Sequence, residues 1–215
     1  RLFLATYFFT KEGRFTDFNF INNIGGFNNF NVFNKIKNFC GKDALKKEPR
    51  LISNYWIEAQ ETLYKLYPKK VFFFKTHNAF VMHNKKYFTN EILTRGIIYI
   101  VRDPRSILVS AKYHYNYPSY ETGLYYLCSD RHISLTKDNI LPEFLLSWKQ
   151  HYLSWKEFIK KNPKLGIIIK YEDLIDDSEN IDIKLYEYAG KNPVKAYSNQ
   201  TYWVYIKDKD GQRFK

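Results

Sequence analysis

Two side chains in the segment Lys75-Thr76-His77 have the types and spacing needed for acid–base chemistry. They follow an apolar run, residues 71–74, that is typical of a β-strand. Because side chains alternate along a strand, we expect Lys75 and His77 to project to the same side. A neutral imidazole beside an ammonium group suits a reaction in which His77 removes a proton and negative charge develops nearby. The alternative is that His77 only hydrogen-bonds backbone at the end of the strand.

A second candidate site would bind an anion at the end of the next apolar run, residues 96–101. Arg102 follows this run, and Asp103 predicts the N-cap of a helix that carries Ser106 and Ser110 on one face. The amides and the dipole at a helix N-terminus attract anions, and the Arg102 guanidinium is a forked donor for phosphate. The alternative is an ordinary capped helix with Arg and Ser side chains on its surface.

Two further segments carry candidate residues. Tyr171 lies just beyond a third apolar run, residues 166–169, and its ring can stack while its hydroxyl donates. The alternative for Tyr171 is that it only marks the end of a strand. Trp148, His151 and Trp155 fall on one face of a predicted helix. Such a face belongs more commonly to a core that contains a hydrogen-bonded histidine than to a ligand site.

The elements that would position these residues form a predicted α/β domain. The three apolar runs have the composition of strands buried on both faces of a parallel sheet. We predict helices at residues 2–9, at residues 50–67, from residue 103 onward and at residues 142–161, and a loop with a short helical piece at residues 19–38. The order of strands and helices predicts right-handed crossovers. The polar residues after each run would then meet at the edge where open parallel sheets bind ligands.

Length and composition agree with one domain over residues 1–215. The chain is 45% hydrophobic and 19% aromatic, which supports a sizeable core and excludes a disordered protein. The sequence has no apolar window of about 18 residues, the length that would predict a membrane span. Cys40 and Cys128 are too few for a disulfide framework or a cysteine-rich zinc site, so we expect no metal and a reducing, cytoplasmic location.

The formal net charge of +12 indicates a partner with phosphate or sulfate groups, or else a lysine-rich surface that only solvates many exposed aromatic residues. No RNA-binding aromatic signature, zinc-finger spacing or basic heptad array accompanies the charge, so we do not expect nucleic acid as the partner. The alternative to an enzyme is a basic α/β module that binds nucleotide or nucleic acid without catalysis.

The combination and order of these segments resembles the sulfotransferases that use 3′-phosphoadenosine 5′-phosphosulfate (PAPS), with the closest likeness to their bacterial soluble branch. The matching segments are Lys-Thr-His at 75–77, Tyr-Ile-Val-Arg-Asp-Pro-Arg-Ser-Ile-Leu-Val-Ser at 99–110, Ser-Trp-x-x-His-x-x-x-Trp at 147–155 and Tyr-Glu-Asp-Leu at 171–174. The likeness runs roughly from residue 1 to residue 190. It implies a fold like that of the P-loop nucleotide kinases, with a parallel sheet flanked by helices.

The resemblance also implies an activity and a division of roles. A sulfuryl group would pass from PAPS to a hydroxyl or amine of a small-molecule or glycan acceptor, without a metal ion. His77 would be the catalytic base, and Lys75 would stabilise charge on the transferring group. Arg102 and Ser110, which match the family's donor-binding pair, would bind the 3′-phosphate.

Two other roles are implied by the same resemblance, and one departure bears on all of them. Tyr171 would lie by the adenine, and His151 would lie near the acceptor pocket. The family's phosphosulfate loop, Pro-Lys-Ser-Gly-x-Thr-Trp, does not occur in this sequence, and residues 1–5 resemble the start of the helix that follows that loop. We therefore expect that the first strand and the loop are missing from this chain, and that the chain alone binds the donor poorly. The family's late Arg-Lys-Gly element is not found either.

Overall fold

The computed structural model describes residues 18–68 and 70–176, and the helix predicted at residues 2–9 lies outside them. The strands are β1 (Gly25–Gly26), β2 (Phe74–Lys75), β3 (Met82–His83), β4 (Lys86–Tyr87), β5 (Ile97–Val101) and β6 (Gly166–Lys170). The α-helices are α1 (Phe30–Phe33), α2 (Gly41–Lys47), α3 (Trp56–Leu66), α4 (Pro104–His114), α5 (Tyr120–Cys128), α6 (Trp148–Lys161) and α7 (Tyr171–Asp176). Two 3₁₀ helices cover Phe18–Asn23 and Pro49–Tyr55.

The strands of the described ranges form three pairs. β5 and β6 are parallel, and their register runs from Ile97 opposite Gly166 to Val101 opposite Lys170. β1 and β2 are also parallel, whereas β3 and β4 form an antiparallel hairpin. Parallel pairing of the second and third apolar runs, with helices between them, agrees with the predicted α/β class.

The first apolar run differs from the prediction. Only Phe74 and Lys75 are in a strand, and they pair with Gly25 and Gly26 rather than with β5. Residues 71–73 are not part of a strand, so β2 covers only the last residue of the apolar run and Lys75. A Gly-Gly pair has low β-propensity, and β1 therefore depends on its partner strand, which is why the sequence alone did not predict it.

The prediction that the strands are buried on both faces is also wrong for β5. Its residues Ile97 and Tyr99 pack against the core, as does Ile168 of β6. Ile100 points to the other face and is 49% exposed in the part of the chain that the structure describes. Alternation along the strand produces this difference, because helix α6 and the core cover one face of the pair.

The helices predicted within the described ranges agree in position, but two of the three begin later than expected. Asp103 is the N-cap of α4, and its carboxylate accepts a hydrogen bond from the Arg105 amide, as predicted. The helix predicted at residues 50–67 begins as a 3₁₀ segment, in which the Ser53 hydroxyl donates to the Arg50 carbonyl at 2.9 Å. The helix predicted at residues 142–161 begins at Trp148, because Ser147 caps it.

An aromatic core lies between α3, α6 and the segment at residues 141–144. Trp56 is fully buried, and its ring meets those of Phe88 and Phe144 edge-on, with centroid distances of 5.5 and 4.9 Å. Edge-to-face packing of this kind adds to the free energy gained by burying the rings. The core therefore fixes the 141–144 segment, which carries Glu143, beside the end of β2. None of the described helices is both long and apolar enough to span a membrane.

Candidate active site

Two exposed basic residues, Lys75 and His77, lie at and just beyond the end of β2. Lys75 is the last residue of this strand, and its carbonyl accepts a hydrogen bond from the Phe27 amide at 2.8 Å. His77 lies two residues further on, outside the strand, and is also exposed. Both side chains can therefore be reached from solvent, which acid–base chemistry on a bound acceptor would require.

Glu143 is a buried carboxylate that binds the residues just after this strand. It is only 4% exposed, and its Oε1 accepts hydrogen bonds from the His77 amide at 2.7 Å and the Thr76 hydroxyl at 3.2 Å. Its Oε2 accepts from Asn28 Nδ2 at 3.0 Å. Burial raises the pKa of Glu143, while these bonds from His77 and Thr76 and the charge of Lys75 lower it. The carboxylate is therefore paired on both oxygens.

Asn78 satisfies the irregular backbone that follows His77. It is 2% exposed, its Oδ1 accepts from the Phe144 amide at 2.9 Å, and its carbonyl accepts from Trp155 Nε1 at 2.9 Å. Its Nδ2 donates to the Thr76 hydroxyl at 3.1 Å. Buried polar groups in a segment without ladder bonds need such partners. The Lys75-Thr76-His77 turn is therefore held in one conformation.

His151 lies behind the same turn, in helix α6. Its Nε2 is 3.1 Å from the His77 carbonyl oxygen, and its Nδ1 is 2.8 Å from the Tyr99 hydroxyl. A carbonyl oxygen can only accept, so Nε2 carries a proton, and in the neutral ring Nδ1 accepts from Tyr99. Burial lowers the pKa of His151 and raises the pKa of Tyr99, so the neutral imidazole and the protonated phenol both persist near neutral pH.

The Arg102 side chain is the second part of the site. Its guanidinium carbon lies 4.4 Å from the centre of the Tyr171 ring, and its backbone carbonyl accepts from Trp148 Nε1 at 3.2 Å. Its Nε atom is buried and has no hydrogen-bond partner among the described residues. Leaving a buried N–H unpaired costs about 1–3 kcal/mol, and more when the group is charged. An anionic ligand at Arg102 would supply the partner.

The amides at the start of α4 are already occupied by the protein. The Asp103 carboxylate accepts from the Arg105 amide at 2.8 Å and forms an ion pair with the Arg105 guanidinium at 2.6 Å. The side-chain and backbone hydrogen bonds from Arg105 lower the pKa of Asp103 to about 2. The Asp103 amide in turn faces Glu172 Oε1 at 3.3 Å. These two amides therefore already have protein partners, and we expect an anion near Arg102 to be bound by side chains.

Ser110 lies further along α4 and is exposed, one helical turn beyond the half-buried Ser106. At about 1.5 Å of rise per residue, Ser110 is roughly 9 Å along the axis from Pro104. Within the described ranges, no three His, Cys, Asp or Glu side chains are grouped closely enough to hold a metal ion.

Helix α6 joins the two predicted sites. Trp148 in its first turn donates to the backbone of Arg102, and His151 one turn later donates to the backbone of His77. Two segments predicted separately are therefore brought to one edge of the fold. The sequence analysis did not identify Glu143 or Tyr99 as site residues. A lone acid inside the apolar run at residues 141–146 was the signal for Glu143, whereas Tyr99 had none.

Comparison with known proteins decides the family. Residues 55–214 match the sulfotransferase domain family, which is well over half of the chain. The protein belongs to the sulfotransferase family. This confirms the family predicted from the sequence, and it makes the protein a transferase whose general chemistry is sulfuryl transfer. The matched range of this sulfotransferase contains every candidate site residue: Lys75, His77, Arg102, Ser110, His151 and Tyr171. A search of the curated proteins found no match.

Proposed function

We propose that this sulfotransferase moves a sulfuryl group from PAPS to a hydroxyl or amine of a small-molecule or glycan acceptor. The proposal includes a fold of the P-loop nucleotide-kinase type and a cytoplasmic location, which the two free cysteines, Cys40 and Cys128, favour. The single observation that carries the choice of donor is the buried Nε of Arg102, which lacks a partner among the described residues. The Arg102 guanidinium lies against the Tyr171 ring, and a cation beside an aromatic ring suits a nucleotide that carries an anionic group.

On the donor side, Arg102 and Ser110 would bind the 3′-phosphate, and Tyr171 would lie by the adenine. A guanidinium binds phosphate through charge-assisted, forked hydrogen bonds, and a serine hydroxyl adds one donor. The Tyr171 ring holds the Arg102 guanidinium in place, which reduces the side-chain entropy lost when the phosphate binds. The hydrogen bond from Trp148 Nε1 holds the backbone carbonyl of Arg102 in position.

On the acceptor side, the His77 imidazole would take the proton of the acceptor hydroxyl or amine. The new bond from the acceptor atom to sulfur forms as the bond from sulfur to the bridging phosphate oxygen breaks, and 3′-phosphoadenosine 5′-phosphate leaves. Lys75 would stabilise the negative charge on the sulfuryl group and on the bridging oxygen. Positioning and charge stabilisation provide most of the acceleration in transfers of this kind.

His151 is proposed to lie near the acceptor, but it would act through its position rather than through a hydrogen bond. Both of its ring nitrogens already have protein partners, Tyr99 and the His77 carbonyl. A cavity of about 430 Å³ lies one helical turn away, against Trp148, and its wall includes Leu108, Leu124 and Leu127. An acceptor with an apolar part would fit this surface better than a highly charged acceptor.

The test is transfer of radiolabelled sulfur from PAPS to a panel of hydroxyl and amine acceptors by the complete gene product. We expect His77→Ala to lower the rate of transfer about a hundredfold or more, since a general base is lost. The affinity for 3′-phosphoadenosine 5′-phosphate should stay nearly unchanged. The matched control is His114→Ala, which removes an exposed histidine of α4 and should leave the rate unaltered. Transfer by His77→Ala at a rate comparable to wild type would show that His77 is not the base.

A further inference from the structure

Both peptide groups of His77 are bound by titratable side chains from different parts of the chain, the buried Glu143 and the half-buried His151. The amide donates to Glu143, in the extended segment before α6, and the carbonyl accepts from His151, within α6. These partners are 66 and 74 residues away in sequence. Neither contact involves the imidazole of His77, so both act on its backbone alone.

A backbone clamp matters at this position because no strand holds His77. β2 ends at Lys75, and the imidazole of His77 is on an exposed residue. The direction in which the ring projects therefore depends on how firmly the peptide before and after it is held. A displacement of about 1 Å of a reacting group can cost on the order of a hundredfold in rate.

Glu143 is a residue whose burial the stability of the fold alone would not favour. Burying a carboxylate is costly, and an apolar residue in the same place would avoid that cost. Glu143 nevertheless accepts from the His77 amide at 2.7 Å, a short distance typical of a charge-assisted bond. The Thr76 hydroxyl and Asn28 Nδ2 complete its set of donors. The buried charge is thus used to hold the Thr76-His77 backbone.

The His151 contact is equally specific in its direction. The His77 carbonyl can only accept, so the donor must be Nε2–H, and Nδ1 then accepts from the Tyr99 hydroxyl. The rings of Tyr99 and His151 are also stacked, with their centroids 5.6 Å apart. Tyr99 is in β5, so the orientation of His151 is set by the same strand that leads to Arg102. The two halves of the site are coupled through this contact.

We infer that Glu143 and His151 are positioning residues that set the placement of the His77 imidazole by fixing its peptide on both sides. The inference rests on the proposed function, in which His77 is the base. It assigns to Glu143 and His151 an effect on the turnover number that neither would have if it only stabilised the fold.

The test for Glu143 combines turnover with the amide proton resonance of His77 in NMR spectra of isotopically labelled protein. In the wild type, we expect this resonance well downfield because the amide donates to a carboxylate. Glu143→Ala should move it upfield and lower kcat by about ten- to a hundredfold, with KM for PAPS changed less than about threefold. Glu143→Gln keeps an oxygen acceptor in the same place and should retain kcat within about fivefold. This variant keeps the inference testable if Glu143→Ala does not fold.

The test for His151 uses a pair of variants that differ in one donor. His151→Phe keeps an aromatic ring but loses Nε2–H, and we expect kcat to fall about tenfold or more. His151→Gln retains an Nε2 donor and should recover most of the lost activity. Ser53→Ala is the control for general destabilisation, because Ser53 is fully buried and hydrogen-bonded but is remote from His77 in its contacts.

The outcomes separate the inference from the function on which it rests. A His77 amide resonance that Glu143→Ala does not move would overturn the clamp, whatever the activity. Equal losses of kcat in His151→Phe and His151→Gln would also overturn it. A wild-type protein that transfers no sulfuryl group to any acceptor would overturn the proposed function, and with it the catalytic purpose of the clamp. A shifted resonance together with a fall in kcat at nearly constant KM supports both.

Discussion

The guanidinium of Arg102 lies 4.4 Å from the centre of the Tyr171 ring, and the register of two parallel strands explains why. Val101 at the end of β5 is opposite Lys170 at the end of β6. Arg102 directly follows β5, and Tyr171 directly follows β6. The two side chains therefore meet at the carboxyl edge of the pair. Because ligands bind at this edge in open parallel sheets, the contact marks the donor side of the proposed site.

Arg102→Ala should weaken binding of 3′-phosphoadenosine 5′-phosphate by about 1.5–3 kcal/mol, the value of a charge-assisted contact to phosphate. Arg102→Lys keeps the charge but loses the planar fork, and its affinity should be intermediate. Isothermal titration calorimetry gives both values. Arg50→Ala is the control, because the Arg50 side chain is exposed and its guanidinium lies 3.9 Å from the Glu48 carboxylate rather than at the proposed site. Equal affinity of Arg102→Ala and Arg50→Ala would contradict the assignment.

The stability conferred by His151 should depend on pH in a defined direction. Burial lowers the pKa of His151 below its ordinary 6.5, so the unfolded chain binds more protons and stability falls as the pH drops below that value. His151→Gln has no imidazole at this position and therefore takes up no proton there. The free energy of unfolding of the wild type minus that of the variant should therefore decrease as the pH is lowered from roughly 7.5 to roughly 5.5. Urea denaturation at several pH values measures it.

Subtracting the variant from the wild type also cancels the pH-dependent contributions of the other buried titratable groups. Burial also lowers the pKa of His132, and burial raises the pKa of Glu143, so protonation of Glu143 acts in the opposite direction. Both groups are present in the wild type and in His151→Gln. A difference in the free energy of unfolding that stays constant across the pH range would show that His151 does not titrate in this way.

Trp56 should dominate the stability of the core. Trp56→Ala should lower the free energy of unfolding by about 3–5 kcal/mol, because a large side chain with 0% exposure is lost. Trp56→Phe should cost distinctly less, since it retains a ring and also removes an indole N–H that is buried without a partner among the described residues. Tyr64→Ala, at a 62% exposed site of the same helix, should be close to neutral. Equal losses for the two Trp56 variants would contradict this reasoning.

Gly166, the first residue of β6, should not tolerate a side chain. A Cβ atom at this position would collide with the side chain of Ile159 in α6. Gly166→Ala should therefore lower the free energy of unfolding by about 1–3 kcal/mol, and Ile159→Val in the same protein should restore part of the loss. Gly25→Ala is the control, because no atom of the described residues lies within 4 Å of a Cβ built there. Thermal unfolding of the four proteins compares them, and similar losses for both glycines would refute the packing argument.

The elements that depend on local chemistry could be predicted from the sequence. Asp103 and Pro104 mark the start of α4, and the β-branched run at residues 97–101 is a strand paired in parallel with β6. The side chains that follow those two strands then meet because parallel strands end at the same edge of a sheet. The sequence therefore predicts that Arg102 and Tyr171 lie at one edge of the sheet.

The contacts that depend on tertiary packing could not be predicted. The bond between Glu143 and the His77 amide joins residues 66 positions apart, and no local pattern relates them. The pairing of β1 with β2 is of the same kind, since two glycines have no intrinsic preference for a strand. The orientation of His151 is another case, because it depends on Tyr99 in a strand more than fifty residues earlier. Each of these contacts follows from the core that surrounds it.

The most direct test of the proposed donor site is a comparison of two nucleotides with the wild type and Arg102→Ala. 3′-Phosphoadenosine 5′-phosphate and adenosine 5′-phosphate differ only in the 3′-phosphate. Calorimetry on the wild type should show tighter binding of the first, by about tenfold or more, and Arg102→Ala should remove that difference. Equal affinity of the wild type for both nucleotides, with salt-sensitive binding of an oligonucleotide instead, would contradict the account and favour a nucleic-acid-binding module.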